Sequence, residues 1–179
     1  MGWGALGGWV LAVMALNGCA GDATPHPFAD APPLSYTTNF VGTWTDAEKT
    51  VVEAAFAEWP TAIAYDLDVV RVTDVDPWAN RCKSSRAGLP DGEVLEGYTY
   101  IGKTMCIYLD DITRDPHISL TRVAAHEYGH ALGISFGSDL HYEGSEPSLM
   151  KPDADDDTVV PQAVDLVALR AHLDASRPQ

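Results

Sequence analysis

Two histidines and a glutamate in the segment HEYGH have the types and spacing that suit metal-assisted hydrolysis. His126 and His130 are four residues apart, so on a helix both imidazoles project from one face and can bind one ion. Glu127 directly follows His126. From that position its carboxylate reaches a water on the ion without binding the ion itself. Zinc lowers the pKa of such a water to about 7, and a carboxylate then takes its proton and passes it to a leaving amine. The spacing HExxH therefore predicts a zinc site with Glu127 as general base.

The surroundings of this motif resemble the metzincin zinc peptidases, and within them the matrixin-like branch. The motif lies in VAAHEYGHALGI, and the segment SLMKP at 148–152 is similar to the methionine-containing turn beneath the zinc in that family. The resemblance runs in order over residues 34–175, and the stretch 123–152 carries its specific part. It implies an α+β, metzincin-like zincin fold: a twisted, mostly parallel sheet with an antiparallel edge strand, an active-site helix and a C-terminal helix. It also implies a protein or peptide substrate.

The third metal ligand departs from the family pattern HExxHxxGxxH. Three residues past the glycine, where the family has its third histidine, this chain has Phe136, which cannot bind zinc. His141 stands close to the family's usual distance before Met150. An insertion in the loop between Gly133 and His141 would explain both the late position of this histidine after the glycine and its normal distance from the methionine. Asp139 is the rival because carboxylates also bind zinc, and a site without a third protein ligand stays open as well. The expected ligands of Zn²⁺ are His126, His130 and His141.

Alternating and β-branched residues predict the strands that would support this site. Gly102-Lys103 separates two of them and predicts a type II′ hairpin turn. Residues 76–93 are rich in turn-forming residues and predict a long surface loop. The predicted strands cover residues 34–41, 64–75 (as one or two strands), 94–101 and 104–111.

Apolar stripes and caps predict three helices. A capping box of Thr45 and Glu48 precedes a helix predicted over 46–59. The active-site helix is predicted at about 119–132. Pro161 suits the first turn of a third helix. The apolar stripe predicted for that helix consists of Val164, Val167, Ala168 and Ala171.

The first residues predict export rather than a part of the fold. Residues 1–18 are uncharged and rich in glycine and apolar residues, which suits a signal peptide and is a poor membrane-spanning helix. The segment LNGC ending at Cys19 resembles the bacterial lipobox, which implies lipidation of that cysteine. Ordinary cleavage by a signal peptidase is the alternative. Residues 19–33 then predict a flexible tether after the lipid-anchor cysteine, and residues 34–179 the catalytic domain. The expected location is the bacterial outer membrane, as a lipoprotein, or the exterior, as a secreted protein.

The composition of the 179-residue chain limits its partners. Acidic residues outnumber basic ones by 26 to 11, for a net charge of −15. This argues against a nucleic-acid partner, and we expect membrane contact only through a lipid on Cys19. The chain is expected to be a monomer. The remaining cysteines, Cys82 and Cys106, form an even pair, which in an exported chain predicts a disulfide; two free buried thiols are the alternative.

These expectations describe an exported zinc endopeptidase with Glu127 as general base. Its substrate would lie extended along an edge strand within residues 94–109 and pair with the backbone. A second hypothesis is a metzincin-shaped binding module that has lost catalysis, for which Phe136 is the best evidence. Retention of both His126 and Glu127 speaks against that module. A third is a metal-binding protein without peptidase activity.

Overall fold

The structure is a computed structural model, and it describes residues 37–63, 65–73, 82, 97–100, 104–114, 117–152 and 158–176. The predicted signal peptide, Cys19 and the tether lie outside the described residues, as do the Gly102-Lys103 turn and most of the 76–93 loop. In the part of the chain that is described, no helix has the length and apolar character needed to cross a membrane.

A four-stranded sheet in the order β1-β2-β4-β3 forms the centre of the fold. β2 pairs in parallel with β1 and with β4, whereas β3 pairs antiparallel with β4 at the edge. The predicted α+β class, with a mostly parallel sheet and an antiparallel edge strand, is confirmed. The strands are β1 Thr38–Val41, β2 Leu67–Val72, β3 Gly97–Tyr100 and β4 Thr104–Tyr108.

Four helices accompany the sheet in the described residues: α1 Asp46–Ala57, α2 Leu109–Arg114, α3 Leu120–Ala131 and α4 Ala163–Ala175. The strand predicted over 104–111 is wrong beyond Tyr108, because the chain turns there directly into α2. Two acidic residues in the first turn of α2 favour a helix start. Leu109 and Ile112, three positions apart, both bury their side chains on one helical face.

Helices α1 and α3 pack on one face of the sheet and enclose the main core. The capping box predicted for α1 is present, since Thr45 Oγ1 accepts from the Glu48 N–H at 3.2 Å and Glu48 Oε2 accepts from the Thr45 N–H at 2.7 Å. The Phe56 ring stacks on Tyr128 of α3 with 4.1 Å between centroids. Trp59 Nε1 donates to the Ala125 carbonyl at 2.9 Å. Helix α3 is therefore held by both apolar contact and a buried hydrogen bond to its backbone.

The opposite face of the sheet carries the predicted disulfide. Cys82 and Cys106 are bonded to each other and fully buried, so the alternative of two free thiols is wrong. They pack with Val70, Val72 and Tyr108 in a second apolar cluster. The Tyr108 hydroxyl donates to the Cys82 carbonyl at 2.6 Å. The bond thus joins Cys82 to the face of β4 that points away from α3.

The apolar stripe predicted for α4 is only partly present in that helix: Ala168 packs against the main core and Val164 is half-buried, whereas Val167 and Ala171 are exposed. Its buried residues are Asp165 and Leu169, four positions apart, whereas Val167 is 70% exposed. The Asp165 carboxylate accepts hydrogen bonds from the turn at 148–150, which fixes the rotation of the helix. A buried polar interaction here overrides the apolar periodicity of the helix.

Removal of the disulfide tests how much this bond contributes to the free energy of unfolding. It closes a loop between residues 24 positions apart, for which chain entropy gives a stabilisation of about 3 kcal/mol. The double variant Cys82→Ala/Cys106→Ala is expected to lose that amount in a urea unfolding titration. Wild-type protein unfolded in the presence of a thiol reductant is the control and should show a similar loss. An unchanged unfolding midpoint in both samples would contradict the prediction.

Candidate metal centre and active site

Three histidine side chains converge beside the C-terminal half of α3. The Nε2 atom of His130 lies 3.1 Å from that of His126 and 3.3 Å from that of His141. One nitrogen from each ring lies within 4.8 Å of the others, and these residues form the one such group found among the described residues. The predicted spacing of His126 and His130 on a helix thus brings both rings to one point, and His141 reaches it from the following loop.

Two of the three nitrogen–nitrogen distances among these rings match those around a single metal ion. A tetrahedral zinc site with metal–nitrogen distances of about 2.0–2.1 Å holds its nitrogen ligands about 3.3–3.4 Å apart. The two nitrogen–nitrogen distances of 3.1 and 3.3 Å lie close to that value. Three imidazoles can therefore hold a metal ion in this position, and the residues required are His126, His130 and His141.

A hydrogen bond sets the orientation of the first ligand. The Nδ1 atom of His126 lies 2.8 Å from the Leu149 carbonyl oxygen. A carbonyl oxygen only accepts, so Nδ1 carries the hydrogen and the lone pair remains on Nε2. This leaves the nitrogen that faces the other two histidines available as a ligand.

Burial keeps the three imidazoles neutral. It lowers the pKa of His126 to about 3, with the charge of neighbouring His130 adding to the effect. Burial and then the charge of His141 lower the pKa of His130 to about 4. Burial also lowers the pKa of His141, although Glu143 acts in the opposite direction. Neutral imidazoles present free lone pairs, which is the state that metal binding requires.

A short turn brings His141 back to the helix. The Phe136 N–H donates to the Asp139 carbonyl at 2.7 Å, and the two residues form an isolated β-bridge. Gly137 within the turn has φ of +74°, a conformation that favours glycine. The Tyr142 N–H then donates to the Met150 carbonyl at 2.9 Å, which anchors the residue after His141.

Phe136 and Asp139 therefore have structural positions in this turn. The Phe136 ring packs against the main core and lies 5.2 Å from the Tyr142 ring, centroid to centroid. Asp139 is exposed and is not a member of the metal-ligating group. The structure thus brings His141 rather than Asp139 to the helix histidines.

Residues 148–150 form a turn that supports the metal-binding face of α3. A methyl group added at Gly129 would lie 2.5 Å from Met150 Sδ and 2.9 Å from Trp59 Cζ2. The glycine in HEYGH is required because these side chains press directly on the helix backbone. The turn is itself fixed by Asp165, which accepts from Ser148 Oγ at 2.5 Å and from the Leu149 N–H at 2.9 Å.

Glu127 lies beside the edge strand β3. The glutamate is 5% exposed, and its Oε2 accepts from the Thr99 hydroxyl at 2.7 Å. A methyl group added at Gly97 would lie 2.6 Å from Glu127 Cγ. The residue predicted as general base is therefore in contact with the strand that terminates the sheet.

The remaining histidines of the chain have other positions. His117 is exposed ahead of α3. The His172 ring lies over the backbone of Gly133, where an added methyl group would come within 2.6 Å of it. Neither belongs to the metal-ligating group, and His26 lies outside the described residues.

Sequence patterns missed three residues around the site: Gly97, Thr99 and Asp165. No local pattern marks the first two, because their contact with Glu127 joins segments 28 residues apart. Asp165 did carry a signal. It stands three residues after Gln162 and accepts from the Gln162 N–H at 2.8 Å, as a helix-capping acid does.

When the chain is compared with protein-family models, with curated proteins and with solved structures, no match is found. A functional assignment for this protein therefore rests on its own residues and their geometry.

Single substitutions distinguish His141 from Asp139 as the third ligand. We expect His141→Ala to weaken Zn²⁺ binding by more than about 100-fold, beyond the 10- to 100-fold typical of residues that only support a ligand. Asp139→Ala should bind Zn²⁺ as the wild type does. Competition with a chromophoric chelator measures both affinities. Near-normal affinity in His141→Ala would exclude this histidine as a ligand.

Asp165 is expected to act on the site through the 148–150 turn. Asp165→Asn replaces one acceptor oxygen by an amide that cannot accept, so at least one buried N–H or O–H loses its partner. The expected cost in unfolding free energy is about 1–3 kcal/mol, together with weaker Zn²⁺ binding. Asp174→Asn, on an exposed position of the same helix, is the matched control and should change neither quantity. Equal effects of the two variants would refute this role.

Proposed function

We propose that this protein is a zinc-dependent endopeptidase that hydrolyses peptide bonds in proteins or peptides. The observation that carries the proposal is the convergence of the His126, His130 and His141 rings, with Glu127 adjacent to the first ligand and buried beside an edge strand. A zinc-binding protein without catalysis would have no need of a carboxylate held at this position.

Zinc is the metal that suits the donor set best. Three neutral imidazoles and no carboxylate or thiolate in the group exclude the oxygen-rich shells of calcium and magnesium. Three protein ligands also leave a fourth tetrahedral position for water or substrate, as in catalytic zinc sites. The hydrogen bond from His126 Nδ1 to a backbone carbonyl is the outer-shell partner typical of such ligands.

The chemistry that zinc supplies in such a site is polarisation of a carbonyl group and acidification of a water molecule. The protein's own residues perform the remaining steps. His126, His130 and His141 would hold the ion, and the burial of His126 excludes bulk water from its side of the site. Glu127 takes the proton released by the water and delivers it to the nitrogen of the leaving amine, so that it ends the cycle unprotonated.

Strand β3 offers a binding edge for an extended peptide. It is the last strand in the sheet order and pairs with β4 on one side only, within the described residues. A peptide added along its outer edge would form backbone hydrogen bonds without regard to sequence. Because Glu127 contacts Gly97 and Thr99 of this strand, such a peptide would lie next to the general base.

The resemblance to the metzincins supports the same function. The turn at 148–150 packs Met150 against α3 beneath the histidines, which is where the resemblance implies a methionine-containing turn. The departure at Phe136 is accommodated by the turn that ends at Asp139. The proposal therefore includes membership of a matrixin-like branch with a lengthened loop before the third ligand.

We also propose that the protein is exported. The buried Cys82–Cys106 bond supports an oxidising compartment, where structural disulfides persist. Export agrees with the signal peptide and lipobox predicted at residues 1–19, and a lipid on Cys19 would be its contact with a membrane.

Substitution of the general base tests the proposed activity. Glu127→Gln is expected to retain Zn²⁺ and to lower kcat/KM by about 10²- to 10⁴-fold, the contribution typical of general acid–base catalysis. The measurement is cleavage of unfolded, fluorescein-labelled casein, with mass spectrometry of the products. Glu53→Gln, an exposed glutamate on α1, is the matched control and should cleave as the wild type does.

The outcomes separate the competing functions. Stoichiometric Zn²⁺ with Glu127-dependent cleavage supports the endopeptidase. Zn²⁺ binding without any cleavage by the wild type would support the inactive binding module or a metal-binding protein. Absence of bound metal after purification and Zn²⁺ loading would contradict both functions that need the ion, the endopeptidase and the metal-binding protein.

A further inference from the structure

The Thr99 hydroxyl contacts Glu127 at two points. Its Oγ1 atom lies 2.7 Å from the carboxylate oxygen Oε2 and 3.0 Å from the backbone carbonyl oxygen of the same residue. Thr99 pairs with Met105 of β4, whose side chain belongs to the main core, so it stands on the face of the sheet that meets α3. One side chain on the edge strand thus touches both the backbone and the end of the glutamate side chain.

The hydrogen bond from Thr99 restricts the conformation of Glu127. A hydroxyl has one hydrogen, and the side-chain oxygen Oε2 is the nearer of its two acceptors. The hydrogen bond fixes Oε2 relative to the hydroxyl, and the pairing of Thr99 with Met105 of β4 fixes the hydroxyl relative to the sheet. Threonine is suited to this task because its branched side chain is stiff on a strand.

Gly97 bounds the same carboxylate from a second position on β3. An added methyl group would lie 2.6 Å from Glu127 Cγ and 2.7 Å from Oε1. Any side chain at this position would overlap the glutamate and displace it. Thr99 therefore holds one carboxylate oxygen by a hydrogen bond, while the bare backbone at Gly97 makes room for the other.

Glutamate otherwise has several rotatable bonds and many conformations. A general base acts efficiently only when its oxygen is already placed within hydrogen-bond reach of the proton that it removes. We infer that Thr99 is a positioning residue for Glu127, and that the edge strand β3 both receives the substrate and orients the general base. This inference rests on the proposed endopeptidase function.

The pair Thr99→Val and Thr99→Ser tests the inference. Valine keeps the shape and branching of threonine and removes the hydroxyl, whereas serine keeps the hydroxyl. We expect Thr99→Val to lower kcat by about 10- to 100-fold, as loss of a supporting hydrogen bond does, with KM and Zn²⁺ affinity little changed. Thr99→Ser should recover most of the wild-type kcat. Thr38→Val, the same change on the opposite edge strand β1, is the control and should behave as the wild type does.

A double-mutant cycle shows whether Thr99 acts through Glu127. Thr99→Val should cause no further loss of kcat when Glu127 is already replaced by Gln, because the group that it positions no longer acts as a base. The same four proteins give a readout independent of activity. The changes in their unfolding midpoints should be non-additive, since Thr99→Val removes and Glu127→Gln weakens the same side-chain hydrogen bond.

The results distinguish this inference from the function on which it rests. A wild type that does not cleave protein overturns the endopeptidase and this inference with it. A wild type that cleaves, together with Thr99→Val at the wild-type kcat, overturns the positioning role alone. The positioning role alone is also overturned if Thr99→Ser loses as much kcat as Thr99→Val does. It is overturned as well if the losses of kcat in Thr99→Val and Glu127→Gln are fully additive.

Discussion

The hydrogen bond from His126 Nδ1 to the Leu149 carbonyl is the interaction on which the site depends. It selects the ring nitrogen that faces the other histidines, and it joins α3 to the turn at 148–150. The N–H of the same leucine donates to Asp165, so its main chain is held from both sides. Met150 fills the space beneath Gly129. Helix α4, the turn and α3 therefore form one connected support for the His126 ring.

Much of this arrangement was predictable from local patterns in the sequence. The pair His126 and His130 needed only helical periodicity, and the capping box of Thr45 with Glu48 is a pattern of four residues. The disulfide followed from counting cysteines in a chain expected to be exported. The strands appeared as β-branched runs, and their mostly parallel order came from the family resemblance. In each case the decisive information lies within one short segment or, for the disulfide, in the number of cysteines in the chain.

The rest depended on contacts between segments distant in sequence. The choice of His141 over Asp139 depends on how a short turn closes, and the hydrogen bond of that turn involves backbone groups that any residue carries. The rotation of α4 follows from a buried carboxylate, which apolar periodicity treats as a surface residue. Contacts between distant segments decided these cases, and a single sequence does not show which residues will be in contact.

The alternation of side chains along β4 has a consequence for how the chain folds. Met105 and Ile107 enter the main core, while Cys106 and Tyr108 point to the opposite cluster. A slip of one residue would reverse these directions and turn the Cys106 sulfur away from Cys82. Partners across the β3–β4 ladder share a face, so the same slip would present Tyr98 instead of Thr99 to Glu127. The disulfide on one side of the sheet is therefore compatible only with the register that presents Thr99 to Glu127 on the other side.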